Sequence, residues 1–138
     1  MEKRIKLEQL IKYKILKKKI MFEALEKYAD FDGRASRKEF WLFFVGIFFG
    51  FIATILTDEL TKILDPARPF TTILFFAVVI PFTAVTIRRL HDLDRTGWWI
   101  LVSIFPTVGP AIILIFACLP GTSGSNRFGP DPLLKTFT

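Results

Sequence analysis

Three stretches of this 138-residue chain run without a single Asp, Glu, Lys or Arg: Phe40–Leu56, Phe70–Ile87 and Trp98–Leu119, of 17, 18 and 22 residues. A helix on the surface of a water-soluble domain carries charge on its outer face every few residues. These blocks carry none, and they hold most of the 16 phenylalanines. At about 1.5 Å of rise per residue, each crosses or nearly crosses a hydrocarbon layer of roughly 30 Å. The first two are short for that task and borrow flanking residues. The expectation is an all-α membrane protein with three transmembrane helices, and the length supports one domain.

Charge is just as unevenly distributed. Residues 1–20 hold eight Lys or Arg against Glu2 and Glu8, which accounts for the whole net charge of +6; from residue 21 onward the signs balance. The basic pI therefore describes an N-terminal extension and does not argue for nucleic acid as a partner. Within that extension Ile5, Leu7, Leu10, Ile11, Ile15 and Leu16 are interspersed with lysines. This reads as an amphipathic helix lying on an anionic leaflet, with a solvated tail as the equal alternative. Composition changes at Met21, which becomes a candidate translation start and the first residue of a small helical membrane domain, 21–138. No clean apolar core or small-residue cleavage site marks a signal peptide. One cysteine, Cys118, excludes an internal disulfide, and one His beside one Cys makes no metal set. No cofactor is expected.

Taken in order, Asp30–Gly33 reads as a turn, with Gly33 free to adopt positive φ. Ser36 followed by Glu39 just before an apolar run is a capping-box signature. Arg34, Arg37 and Lys38 flank the start of the first block, and Trp41 suits interface depth. Gly46 and Gly50 form a GxxxG pair, which lets a second helix approach closely, within the chain or across a dimer. The connector Asp58–Pro69 carries no visible chemistry. Pro81 removes one backbone hydrogen bond and kinks its helix, with Thr83 and Thr86 available to freed carbonyls.

Between the second and third blocks lies RRLHDLDRTGWW, Arg88–Trp99, the polar stretch around which the chain is organised. Charges this close to membrane-length segments belong at the water–lipid boundary or in a protein-lined cavity. Arg88 and Asp92 are spaced as an attractive i,i+4 pair, and His91 and Arg95 share that spacing. The third block contains Pro106–Pro110 (PTVGP) near its middle. A single kinked span is preferred over a re-entrant hairpin of residues 98–105 and 111–119, because an irregular turn at membrane depth must be buried in protein. The tail after Pro120 is a loop whose recognition chemistry rests on Asn126, Arg127 and Phe128. Cations cluster on the N-terminal side and in the polar stretch, so the positive-inside rule places both in the cytoplasm. With three spans the tail falls outside.

Three motifs in this order, DFDGRASRKEFW (Asp30–Trp41), AVTIRRLHDLDRTGWW (Ala84–Trp99) and NRFGPDP (Asn126–Pro132), resemble the small bacterial inner-membrane family catalogued as domain of unknown function 805. The resemblance covers residues 21–138. It implies a compact helical protein of the inner membrane with no assigned activity, beginning near Met21. Asp94 departs from the pattern, standing where many relatives have Gly.

Function is then expected of a non-enzymatic binding protein. Arg34, Arg37, Arg88, Arg89 and Arg95, with His91 and Asp92 beside them, are candidates for an anionic lipid headgroup or a protein partner, because a guanidinium donates paired hydrogen bonds to phosphate. Plain anchoring and topology determination compete with this reading. An oligomeric transporter or channel component is the alternative. Enzymatic work by His91 and Asp92 comes last, since no nucleophile or metal set accompanies them.

Overall fold

The structure is a computed structural model and describes Glu8, residues 27–61 and residues 68–134. The amphipathic helix expected over 1–20, and the start at Met21, lie outside the described residues apart from Glu8. The described residues are helical and irregular, and contain no β-strand beyond one isolated bridge, Asn126 with Gly129. Helix α1 spans Arg37–Leu60 and helix α2 spans Pro69–Asp92, each of 24 residues, or about 36 Å. Both are long and apolar enough to cross a membrane. Only 11% and 22% of their most apolar stretches is buried inside the structure. Phe48, Phe49, Phe75 and Phe76 face outward on them. Surfaces this apolar are incompatible with bulk water and suit hydrocarbon.

The two helices pack antiparallel, through a stack in which the rings of Phe40, Phe44 and Phe82 lie 6.1–6.3 Å apart. The buried core continues through Ala35, Phe43, Val85 and Ala117. Start signals read from sequence are in place. Ser36 caps α1, its hydroxyl accepting from the Glu39 amide at 3.2 Å, and Gly33 has φ +81°. The helix-packing pair divides its faces: a Cβ on Gly50 would meet Leu74 of α2 at 3.5 Å, an ordinary contact, whereas Gly46 opens onto empty space.

The connector holds more than its sequence suggests. Arg68, in the cap position of α2, has left-handed backbone and no side-chain cap bond. The cap comes from the preceding helix instead. Asp58 is buried, and its two carboxylate oxygens accept from the amides of Phe70 at 3.1 Å and Thr71 at 2.9 Å. Farther along α2, Pro81 cannot donate to the Ala77 carbonyl four residues back. The hydroxyl of Tyr28 donates to it at 2.8 Å. Thr83 and Thr86 bond the carbonyls of Val79 and Phe82, one turn back on their own helix.

The third apolar block does not form one kinked span. It divides into a 3-10 helix, Gly97–Ile104, and helix α3, Val108–Cys118, joined at Phe105–Thr107. Eight residues at about 2.0 Å and eleven at about 1.5 Å both give roughly 16 Å, half a hydrocarbon layer. The arms return to one place. Gly97 abuts Ile87 and His91, and the Leu119 carbonyl meets Arg89. Two features permit the fold-back. A Cβ on Gly109 would lie 2.1 Å from the Val102 carbonyl oxygen, so only glycine allows the arms this close. In a 3-10 helix side chains three apart eclipse, and Trp98, Leu101 and Ile104 line up as an exposed apolar strip.

Candidate functional site

The segment before α1, the C-terminal end of α2 and the tail loop meet at one end of the helix pair. Arg34 is the residue that touches all three. Its Nε and Nη2 face Oδ1 of Asp92 at 2.9 Å, while Nη1 donates to Gly124 O at 2.6 Å and Nη2 to Thr122 O at 2.5 Å. Asp92 turns its other oxygen to Arg89, which also donates to the carbonyls of Ala35 and Leu119. Arg88 points the opposite way, pairing with Glu39 of α1 at 2.9 Å. All five of these charged side chains are buried. Ions out of water are tolerated best when paired and hydrogen-bonded; Asp92 is shared by Arg34 and Arg89, while Arg88 faces Glu39 as an ion pair in which its guanidinium nitrogens make no hydrogen bond.

The backbone follows the same logic. A helix leaves its last carbonyls without intrahelical donors. At the end of α2, Arg88 O accepts from the Ala35 amide at 3.0 Å, and Leu90 O from Leu93 and Arg95. His91 O takes the Asn126 side-chain amide at 2.9 Å, and Asp92 O takes Thr122 through both its amide and its hydroxyl. The His91 ring stacks on Phe128 at 3.9 Å with its Nδ1 3.1 Å from Gly33 O. Gly121 admits the tail: a Cβ there would lie 2.1 Å from the Asp92 carboxylate.

The structure thus brings together every candidate site residue except the helix-packing pair, but gives them unequal parts. Arg34, Arg88, Arg89, His91 and Asp92 face inward, and Asn126 is half-buried. Arg37, Arg95 and Arg127 face outward. Arg37 reaches Cys118 O at 3.5 Å, Arg95 lies over the Trp99 ring, and Arg127 pairs with Asp94 at 3.1 Å. One expected pairing is replaced. Arg88 forms an ion pair with Glu39 rather than Asp92, because the i,i+3 neighbour Arg89 and the distant Arg34 occupy both oxygens of Asp92. The His91 ring turns to Gly33 O and Phe128 rather than to Arg95, which lies over Trp99. The tail lies at the same end of the molecule as the polar stretch, because the third block folds back.

Glu39, Thr122 and Gly121 are site residues that sequence reasoning missed. Glu39 was visible as a capping-box partner but not as the counter-ion of Arg88. Among the described residues no group of His, Cys, Asp and Glu could hold a metal ion. What the arrangement does leave open is a cavity of about 140 Å³ beside Asp92, between the start of α1 (Ser36, Arg37, Lys38) and the tail (Gly121, Thr122, Asp131).

Comparison with known proteins finds relatives by sequence. The family model described as "Protein of unknown function (DUF805)" matches residues 28–130, a range that takes in all three converging segments. Inner membrane protein YhaH of Escherichia coli K12 is 44% identical over 118 residues, covering 82% of this chain and 95% of that protein. Inner membrane protein YhaI of the same strain is 43% identical over 114 residues, covering 78% and 90%. YiiR, from the same organism, is 28% identical over 129 residues, covering 74% and 85%. No solved structure matches the chain.

Proposed function

This chain belongs to the DUF805 family, and from that premise we propose an integral inner-membrane protein in which α1 and α2 are the two spans and the third block is a re-entrant hairpin. Charge supports the orientation. The junction end gathers Arg34, Arg37, Lys38, Arg88, Arg89, Arg95 and Arg127, while the other end has Arg68 among the described residues. The positive-inside rule then assigns the junction, the N-terminus and the tail to the cytoplasm. Green fluorescent protein fused after Thr138 should fluoresce, and alkaline phosphatase inserted after Asp65 should be active. An active phosphatase at Thr138 would reject the hairpin.

The activity we propose is non-enzymatic binding of phosphate-bearing lipid headgroups at the cytoplasmic surface, through Arg37, Lys38 and Arg95. One observation carries this reading: the inner arginines are buried against carboxylates and, for Arg34 and Arg89, carbonyls, so recognition falls to the outward-facing cations of the rim. Arginine suits it because its planar fork matches phosphate oxygens. Changing Arg37, Lys38 and Arg95 together to Gln should lower copurifying phospholipid while leaving thermal stability within about 1 kcal/mol. Unchanged lipid retention rejects the proposal. Transport by an oligomer is the weaker reading. The groove between α1 and α2 is lined wholly by apolar side chains, from Phe44 to Phe82, and suits an acyl chain rather than an ion.

A further inference from the structure

The cavity beside Asp92 has charges of both signs on its walls that do not meet. On the α1 side, Lys38 makes no ion pair with any described residue and Arg37 has only a long bond to a carbonyl. On the tail side, Asp131 accepts from the amides of Leu133 at 2.9 Å and Gly124 at 3.3 Å, yet no described cation pairs with its carboxylate. Lys38 and Asp131 line the same cavity of about 140 Å³ without approaching to ion-pair distance. One water needs roughly 10–15 Å³ of such space, so the volume suits a small polar group rather than a single solvent molecule. Asp92, on the floor, already has both oxygens engaged by Arg34 and Arg89. Among the described residues Asp131 is therefore the lining carboxylate that pairs with no cation.

We propose that this cavity binds a zwitterion bearing a phosphate and a primary ammonium, the phosphoethanolamine group, with phosphate at Arg37 and Lys38 and ammonium at Asp131. A simple anion would leave the carboxylate facing it, and like charge in one small site is unfavourable. A zwitterion answers both walls. The start of α1 lies where the apolar span begins, so a lipid headgroup arrives from the bilayer with its chains alongside that helix. The same group free in solution carries the same chemistry. This inference rests on the headgroup reading above and adds the ammonium partner.

The test uses the full chain in nanodiscs of equal parts phosphatidylethanolamine, phosphatidylglycerol and phosphatidylcholine, with retained lipid counted by native mass spectrometry. Phosphatidylethanolamine should be retained over both others. Asp131→Asn, which keeps an acceptor for the Leu133 amide, should cut that preference by on the order of three- to fivefold, as expected for a partly exposed ion pair. Lys38→Gln, a change at an exposed side chain, should lower ethanolamine and glycerol lipid alike. An Asp131→Asn variant with an unchanged lipid ratio overturns the ammonium assignment while leaving the headgroup reading standing. Choline lipid retained as well as ethanolamine lipid overturns it too. If Lys38→Gln and Arg37→Gln change nothing, both readings fall together. Excess free phosphoethanolamine separates the sources: lipid that stays bound assigns the site to the membrane, and displaced lipid assigns it to the soluble group.

Discussion

The two ends of α2 face the same problem with opposite polarity. At its start the orphan groups are amides, and one carboxylate, Asp58, accepts from two of them. At its finish the orphans are carbonyls, and donors come from three separate segments: Ala35, the turn Leu93–Arg95, and Thr122 with Asn126 of the tail. A carboxylate offers several acceptor sites in one compact group and complements the positive end of the helix dipole, so one residue suffices. Donors in matching number must be collected from elsewhere in the chain. The C-terminal end becomes a meeting point for that reason, and the cavity with its cationic rim is what surrounds it.

If the junction is the costlier end to disturb, Asp92→Asn should be the most damaging single change. It leaves Arg34 and Arg89 buried with a neutral partner, a loss of about 3–5 kcal/mol read as thermal unfolding in detergent or nanodiscs. A loss under 1 kcal/mol would mean that the backbone bonds alone hold the tail. Gly109→Ala should cost about 1–3 kcal/mol by overpacking the hairpin, and cysteine-accessibility labelling should report displaced arms while the α1–α2 pair persists. Asp58→Ala should lower stability less than Asp92→Asn and leave labelling at the junction unchanged; a junction that loosens with it would show that the two ends of α2 are coupled rather than independent.

The smaller effects sharpen single bonds. Tyr28→Phe strips the donor from the Ala77 carbonyl and should cost about 1–3 kcal/mol. Pro81→Ala restores an amide donor to that carbonyl, so the same Tyr28→Phe change should cost measurably less in the Pro81→Ala background. An additive pair would refute the assignment. Smallest of all is Asp94→Gly. Asp94 has φ +55°, which costs about 1–2 kcal/mol for a residue with a Cβ, but its carboxylate also pairs with exposed Arg127. The two effects oppose, and a net change within about 1 kcal/mol is expected.

That left-handed backbone fits the Gly that the family resemblance implies at the position. Other features were equally legible from local chemistry: Ser36 as a cap, Gly33 as a turn, and the break in the third block at Pro106–Pro110. The sequence offered a hairpin as one outcome of that break, and steric fit decided for it. Gly109 lets two backbones nearly touch, a relation between elements that no local pattern encodes. Likewise Pro81 marks the Ala77 carbonyl as an orphan by counting back four residues, but nothing local names Tyr28 as its donor.

By itself the sequence determined which segments leave water, since that depends on the apolar character of contiguous residues, and it marked one polar stretch as the place where charge gathers. Tertiary structure alone decided which arginines are spent inward and which remain outside. Arg34, Arg88 and Arg89 look the same as Arg37 and Arg95 along the chain. They differ because long-range packing buries the first three against carboxylates and carbonyls and leaves Arg37 and Arg95 exposed, Arg37 with only a 3.5 Å bond to the Cys118 carbonyl.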